Sequence, residues 1–140
     1  MTWEETKKFC SKLGAKMVVV ESEQERKEIT EMTATLIAKK KRFWLDGKRI
    51  YGKWKTNEGK KDPIYTPWGS VKCNCVGNCI RSGPDMMWYK GRCGARKHYN
   101  TPYTFNPLCK MPFLKGNCLF DLLTLDLLSS SFNPKHGLTR

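Results

Sequence analysis

Seven cysteines in 140 residues, at positions 10, 73, 75, 79, 93, 109 and 118, constrain this chain more than any other feature. Their spacing does not suit zinc: Cys73-x-Cys75 and Cys75-x-x-x-Cys79 come with no histidine nearby. A disulfide framework formed in an oxidising compartment is the better reading. A chain of this length builds one modest core, so cross-links carry a real share of its stability. Five Trp, five Tyr and six Phe supply the apolar payload that a disordered chain lacks. No signal peptide precedes the first element. The chain opens directly on the polar helix start Met1-Thr2-Trp3-Glu4-Glu5, which for a disulfide protein predicts a sequence beginning inside its domain. No apolar run reaches the roughly 20 residues of a membrane span.

Thr2 and Glu5 form a capping box, and Trp3, Thr6, Cys10 and Leu13 recur at helical spacing up to Gly14. Met17-Val18-Val19-Val20 reads as a short strand. Ser22 and Glu25 make a second capping box. Ile29, Thr33, Leu36 and Ile37 then predict one helix ending near Lys39, with Lys39-Lys40-Lys41-Arg42 as a solvated helix end favoured by the dipole. Phe43-Trp44-Leu45-Asp46-Gly47 reads as a buried strand entering a turn, and Tyr51-Gly52-Lys53-Trp54 as the next strand. From Thr56 to Gly83 the signals are Gly, Pro, Asn and Cys, which predict a long loop region of the kind that carries function on a small scaffold. Met86 to Tyr89 and Phe105 to Cys109 are late strands, and Pro112 is a stop. Residues 1–112 therefore form the domain. Residues 113–140 form a tail: an apolar stretch around Cys118 to Leu128, which two Asp residues make a poor amphipathic helix, then a segment expected to be disordered.

The net charge is +13. The tail holds three basic residues (Lys115, Lys135, Arg140) and two acidic ones (Asp121, Asp126), so +12 lies on residues 1–112. Such a balance steers anionic partners without choosing among them.

The ordered set of motifs resembles one family. Thr2-Trp3-Glu4-Glu5, Cys10, Leu13-Gly14-Ala15, Val18-Val19-Val20 and Ser22-Glu23-Gln24-Glu25 resemble the two-helix start of a C-type lectin-like domain. Phe43-Trp44-Leu45 resembles its central tryptophan strand. Gly52-Lys53-Trp54 and Tyr65-Thr66-Pro67-Trp68 resemble the strand and loop that follow. Asn78-Cys79, Trp88-x-x-x-x-Cys93 and Leu108-Cys109-Lys110-Met111-Pro112 resemble its closing cysteines and end. The match runs from Thr2 to Pro112, with the family's first strand missing. The resemblance implies an α+β fold, two helices flanking small antiparallel sheets with a long loop region. It also implies two disulfides, Cys10 with Cys109 and Cys79 with Cys93. Cys73, Cys75 and Cys118 are then left over. A further bridge within the loop, or from loop to tail, leaves one odd thiol, which could join two chains in a disulfide-linked dimer.

Sugar-binding members of that family hold calcium through a Glu-Pro-Asn or Gln-Pro-Asp triplet in the long loop and a Trp-Asn-Asp triplet before the penultimate cysteine. Calcium takes six to eight oxygen ligands, several of them charged. Here Gly69 to Asn78 contain neither triplet nor acid, and Tyr89-Lys90 stand after Trp88 where Asn-Asp would. Between Asp62 and Asp85 there is no carboxylate at all. The expectation is therefore no calcium and no other cofactor. Ligand recognition would rest on aromatic stacking and on cations against sulfate or carboxylate, with Lys72, Arg81, Tyr89, Lys90 and Arg92 as candidates. Trp44, Trp54, Trp68 and Trp88 read as core.

The function expected is a secreted or extracellular binding module for an acidic glycan or a protein surface. The alternative is a cationic, membrane-active or antimicrobial effector that binds anionic surfaces, for which a cross-linked globule is less suited than an amphipathic helix. Nucleic-acid binding conflicts with the disulfides. An enzyme is not expected: His98 falls in a loop and His136 in the tail, no nucleophile has a placed partner, and no phosphate loop occurs.

Overall fold

The structure, a computed structural model, describes residues 1–73, 75–96, 104–111 and 122–123. Helix α1 (Trp3–Lys12) starts on the reciprocal cap expected of Thr2 and Glu5 and buries Trp3, Thr6 and Cys10. It stops before Gly14, whose φ of +72° a side chain would strain. Strand β1 (Lys16–Met17) is shorter than the Val18–Val20 run suggests, because Val18 continues the chain with single bonds, donating to Leu108 O and accepting from Asp46 N.

The second helix differs from expectation. It is two helices, α2 (Glu23–Met32) and α3 (Ala34–Ala38), parted at Thr33. The buried Thr33 hydroxyl donates to Ile29 O at 2.8 Å, competing locally with the helical ladder. Only the first half of the basic run, the exposed Lys39 and Lys40, is a solvated helix end. Lys39 caps α3, Lys40 turns the chain at φ +66°, and Lys41 and Arg42 open strand β2 (Lys41–Ile50). Arg42 is buried, and its Nη1 donates to Ile37 O at the end of α3 and to Lys41 O.

Asp46-Gly47 is no turn. Strand β2 runs through it and reverses at Tyr51 and Gly52, whose φ values of +50° and +78° suit a two-residue hairpin into β3 (Lys53–Thr56). Gly47 instead permits close packing: a Cβ there would stand 2.2 Å from Ile80 Cδ1. Ile80 belongs to β4 (Cys79–Ser82), a strand inside the region read as loop. A register shift between Leu45 and Lys48 accommodates the approach. Strand β5 (Trp88–Gly91) completes the order β3-β2-β4-β5, and β6 (Thr104–Asn106) pairs parallel with the start of β2. Strand β7 (Cys109–Lys110) pairs with β1, and β8 (Leu122–Leu123) pairs with β7. The tail therefore supplies a strand where a weak helix was considered; its other residues lie outside those described.

Two apolar clusters fill the interior. Phe43, Leu45, Ile80, Met86, Trp88 and Leu108 centre one, which takes in Ile29 and Leu36 from the helices. Trp3, Cys10, Trp44, Cys79, Phe105 and Cys109 centre the other. Disulfides join Cys10 to Cys109 and Cys79 to Cys93, with Cα separations of 5.5 and 5.2 Å. Cys73 and Cys75 lie side by side in the loop before β4, with Cα atoms 5.1 Å apart. The two bridges implied by the family resemblance are thus present, and Cys118 lies outside the described residues. No helix of the described residues is long and apolar enough to cross a membrane.

Candidate functional site

A groove of about 420 Å³ opens between β3, β5 and the loop that leads to β4. Trp54, Trp68, Tyr89 and Lys90 line it together with Gly69, Ser70, Cys73, Cys75 and Trp88.

Three tryptophans build its back. Trp54 meets Trp68 edge-on at 5.1 Å between ring centres, and Trp68 meets Trp88 edge-on at 5.4 Å. The electron-poor ring edge against the neighbour's face favours this geometry. The main chain fixes the loop to the sheet: Trp88 N donates to Pro67 O at 2.7 Å, and Gly69 N donates to Trp88 O at 2.8 Å. Arg49 stacks over Trp54 at 5.3 Å and is held by two bonds to Asn78 Oδ1.

Tyr89 sits between two glycines. A Cβ on Gly69 would come within 2.1 Å of its Cζ, and one on Gly83 within 2.3 Å of its Cε2. Its hydroxyl accepts from Ser70 N at 3.3 Å. Lys90 follows on β5, half-exposed at the mouth of the groove.

Of the residues singled out from sequence, Tyr89 and Lys90 come together at the groove. Lys72 is exposed in the 3₁₀ turn Val71–Cys73 beside it. Arg92 is exposed but does not line the groove. Arg81 departs from the expected role. It is 5% exposed, and Tyr89 covers its guanidinium at 5.2 Å. Its Nη1 donates to Ser82 O, and its Nη2 faces Cys75 Sγ at 3.1 Å and Cys73 Sγ at 3.6 Å. It lies behind the groove wall rather than at its mouth.

Sequence reasoning assigned Trp54 and Trp68 to the core, whereas both are half-buried groove walls. Trp44 and Trp88 are core as expected. The alternation Lys53-Trp54-Lys55 is the one sequence signal that sets Trp54 on a half-solvated strand face. His98 and His136 lie outside the described residues.

A family model described as the lectin C-type domain matches residues 1–99. The chain belongs to this family of C-type lectin domains. Comparison with curated proteins finds no match. Among solved structures, the carbohydrate-recognition domain of the mouse scavenger receptor C-type lectin is 18% identical, with a TM-score of 0.57 over 67% of this chain and 75% of that one. The cow CD23 domain, solved in the presence of an oligosaccharide, is 21% identical, with a TM-score of 0.55 over 68% and 73%. The EPNH mutant of CEL-I is 19% identical, with a TM-score of 0.55 over 68% and 77%. These likenesses establish a C-type lectin fold.

Calcium, which the family implies, does not fit the donors present in this lectin domain's groove. They are an ammonium, a phenol, indoles, a serine and sulfurs, whereas the ion takes several charged oxygens. Among the described residues no three His, Cys, Asp or Glu side chains are grouped to hold a metal.

Proposed function

We propose that this lectin domain works outside the cell and binds acidic glycans in the Trp54–Trp68–Tyr89–Lys90 groove without calcium. One observation carries the reading: an aromatic-lined groove of ligand size carries a cation and no carboxylate. Indole and phenol rings offer apolar contact to the C–H face of a sugar ring. The Lys90 ammonium offers a charge-assisted bond to a sulfate or carboxylate, which supplies without a metal the orientation that a bound ion would give. The net charge of +13 raises encounter with polyanionic chains and makes binding fall with salt. The disulfides fit an oxidising, extracellular setting.

A glycan array probed with the refolded domain, with and without chelator, tests this. Sulfated or sialylated glycans should be retained equally in both. Lys90→Ala should weaken them about tenfold or more, the value of one hydrogen bond to a charged group. Binding lost on chelation overturns calcium independence. Binding to anionic liposomes that Lys90→Ala leaves intact favours a membrane-active effector instead.

A further inference from the structure

Arg49 carries a positive charge beside the groove that no carboxylate answers. It stands opposite Trp54 in the β2–β3 register, so both side chains leave the same face of the hairpin. Its guanidinium stacks on the Trp54 ring at 5.3 Å, and Trp54 is itself a wall of the groove. Nε and Nη2 both donate to Asn78 Oδ1, at 3.0 and 2.7 Å, and the Arg49 main-chain N–H donates to Asn78 O at 2.7 Å. The ring and the amide fix the plane of the guanidinium. Both are neutral, so the charge stays uncompensated. Among the described residues no acid forms an ion pair with Arg49, and its Nη1 meets no acceptor.

Other cations of this chain are answered differently. Arg26 pairs with Glu23, Lys55 with Asp62 and Arg96 with Glu5. Arg49 alone among these four is ordered by neutral partners only. Ordering a long side chain before a ligand arrives removes that cost from binding. The planar fork of a guanidinium also matches a carboxylate or sulfate better than an ammonium does. The sheet sets its distance from Lys90. Lys90 pairs with Ile80 on β4, Asn78 lies two residues along from Ile80, and Arg49 faces Asn78 across the next gap. Strand spacing and rise put the two Cα atoms roughly 12 Å apart. The Trp54 indole reaches both the groove and the guanidinium.

We infer that Arg49 is a second anion subsite beside the groove, and that the ligand is a polyanionic glycan with anionic groups on successive sugars rather than one acidic terminus. The inference rests on the reading of the groove as an acidic-glycan site. Lys90 meets one anionic group, and a sugar ring lies against the indole of Trp54. The next anionic group meets the outer edge of Arg49, where Nη1 and the second hydrogen of Nη2 face away from Asn78. Ligand length and charge spacing then decide affinity, because a ligand with one anionic group leaves one of the two cations unused.

Calorimetric titration of the refolded chain with two oligosaccharides of one backbone tests this. One carries a single sulfate, the other a sulfate on every sugar. The parent should bind the fully sulfated one at least about tenfold more tightly. Arg49→Gln should erase that gain and leave the singly sulfated ligand within about twofold, whereas Lys90→Ala should weaken both. Arg49→Lys keeps the charge without the fork and should lose most of the gain. Lys53→Gln removes the same charge from the opposite face of β3 and should keep the gain, which separates a placed guanidinium from bulk charge. Thermal unfolding reports the fold of each variant. If Arg49→Gln does not fold, Asn78→Ala, which releases the guanidinium and keeps its charge, takes its place and should shrink the gain. A gain that survives these changes, or falls equally with Lys53→Gln, overturns the Arg49 subsite, while Lys90-dependent binding still upholds the groove. Binding that Arg49→Gln abolishes and Lys90→Ala leaves intact overturns the groove reading and keeps Arg49 as an anion site. No binding of either ligand overturns both.

Discussion

Asp46 is the residue whose chemistry is least at ease with its place. It is 3% exposed in the middle of β2, and its carboxyl accepts the Glu58 main-chain N–H through both oxygens, at 3.0 and 3.2 Å. Burial is the largest influence and pushes its pKa from 3.8 up to about 6. The Glu58 main-chain bond pulls it down, the Glu58 charge pushes it up, and Lys7 and Lys16 pull it down. The folded state thus keeps a proton that the unfolded chain has released, so this group's contribution falls as pH rises from about 4 to about 6. A shift of this size corresponds to at most about 3 kcal/mol, lost above pH 6. Asp46→Asn keeps an oxygen for Glu58 and removes the titration. Urea unfolding between pH 4 and 7 should show a flatter profile for Asp46→Asn than for the parent. An equal slope in both would place the titration elsewhere. Glu23 moves the opposite way. Its bonds to Arg26 and then to Tyr65 hold its pKa down at about 2, so this carboxylate stays charged where α2 meets the loop.

At the level of elements, the groove depends on how β5 sits against its neighbours. Tyr89 occupies a slot that exists because positions 69 and 83 lack side chains. Gly69→Ala should cost about 1–3 kcal/mol by overpacking. In a Tyr89→Ala background the same change should cost little, because the ring it strikes is gone. Thermal unfolding of the four proteins of this double-mutant cycle measures the coupling; additive effects would mean that the ring and Gly69 do not meet. Such dependence could not be read from sequence, where Gly69 and Gly83 look like ordinary loop glycines. The elements that were legible had local causes. Thr2 and Glu5 announce α1, and Cys10 at helical spacing from Trp3 and Thr6 announces its buried face. Strand β4 was hidden because Arg81 and Ser82, polar residues, are buried in it: Ser82 accepts Phe43 N, and Arg81 turns toward the sulfurs. Trp54 and Trp68 were placed in the core because an indole gives the same signal on a groove wall. The family likeness carried the order of elements across these gaps, while the wall of the groove is made by non-local contacts that no spacing encodes.

On the scale of the molecule, two bridges of very different span divide the stabilisation between them. The Cys10–Cys109 bridge links residues 99 apart and ties α1 to β7 inside the second apolar cluster. Strand β8 also pairs there, with Leu123 opposite Cys109, so tail, last strand and first helix meet at one seam. The Cys79–Cys93 bridge spans 14 residues. Chain-entropy reasoning gives about 4.7 kcal/mol for a loop of roughly 100 residues and about 3 for one of about 15. Serine pairs should therefore lower the guanidinium midpoint more at positions 10 and 109 than at 79 and 93. Burial sharpens the ranking, since Cys10, Cys79 and Cys109 are fully enclosed and a serine there must find a partner for its hydroxyl. A Cys79→Ser/Cys93→Ser protein as destabilised as Cys10→Ser/Cys109→Ser would mean that loop span does not set the ranking. The expected order makes the Cys10–Cys109 bridge, which ties α1 to β7, the main covalent hold on the second apolar cluster.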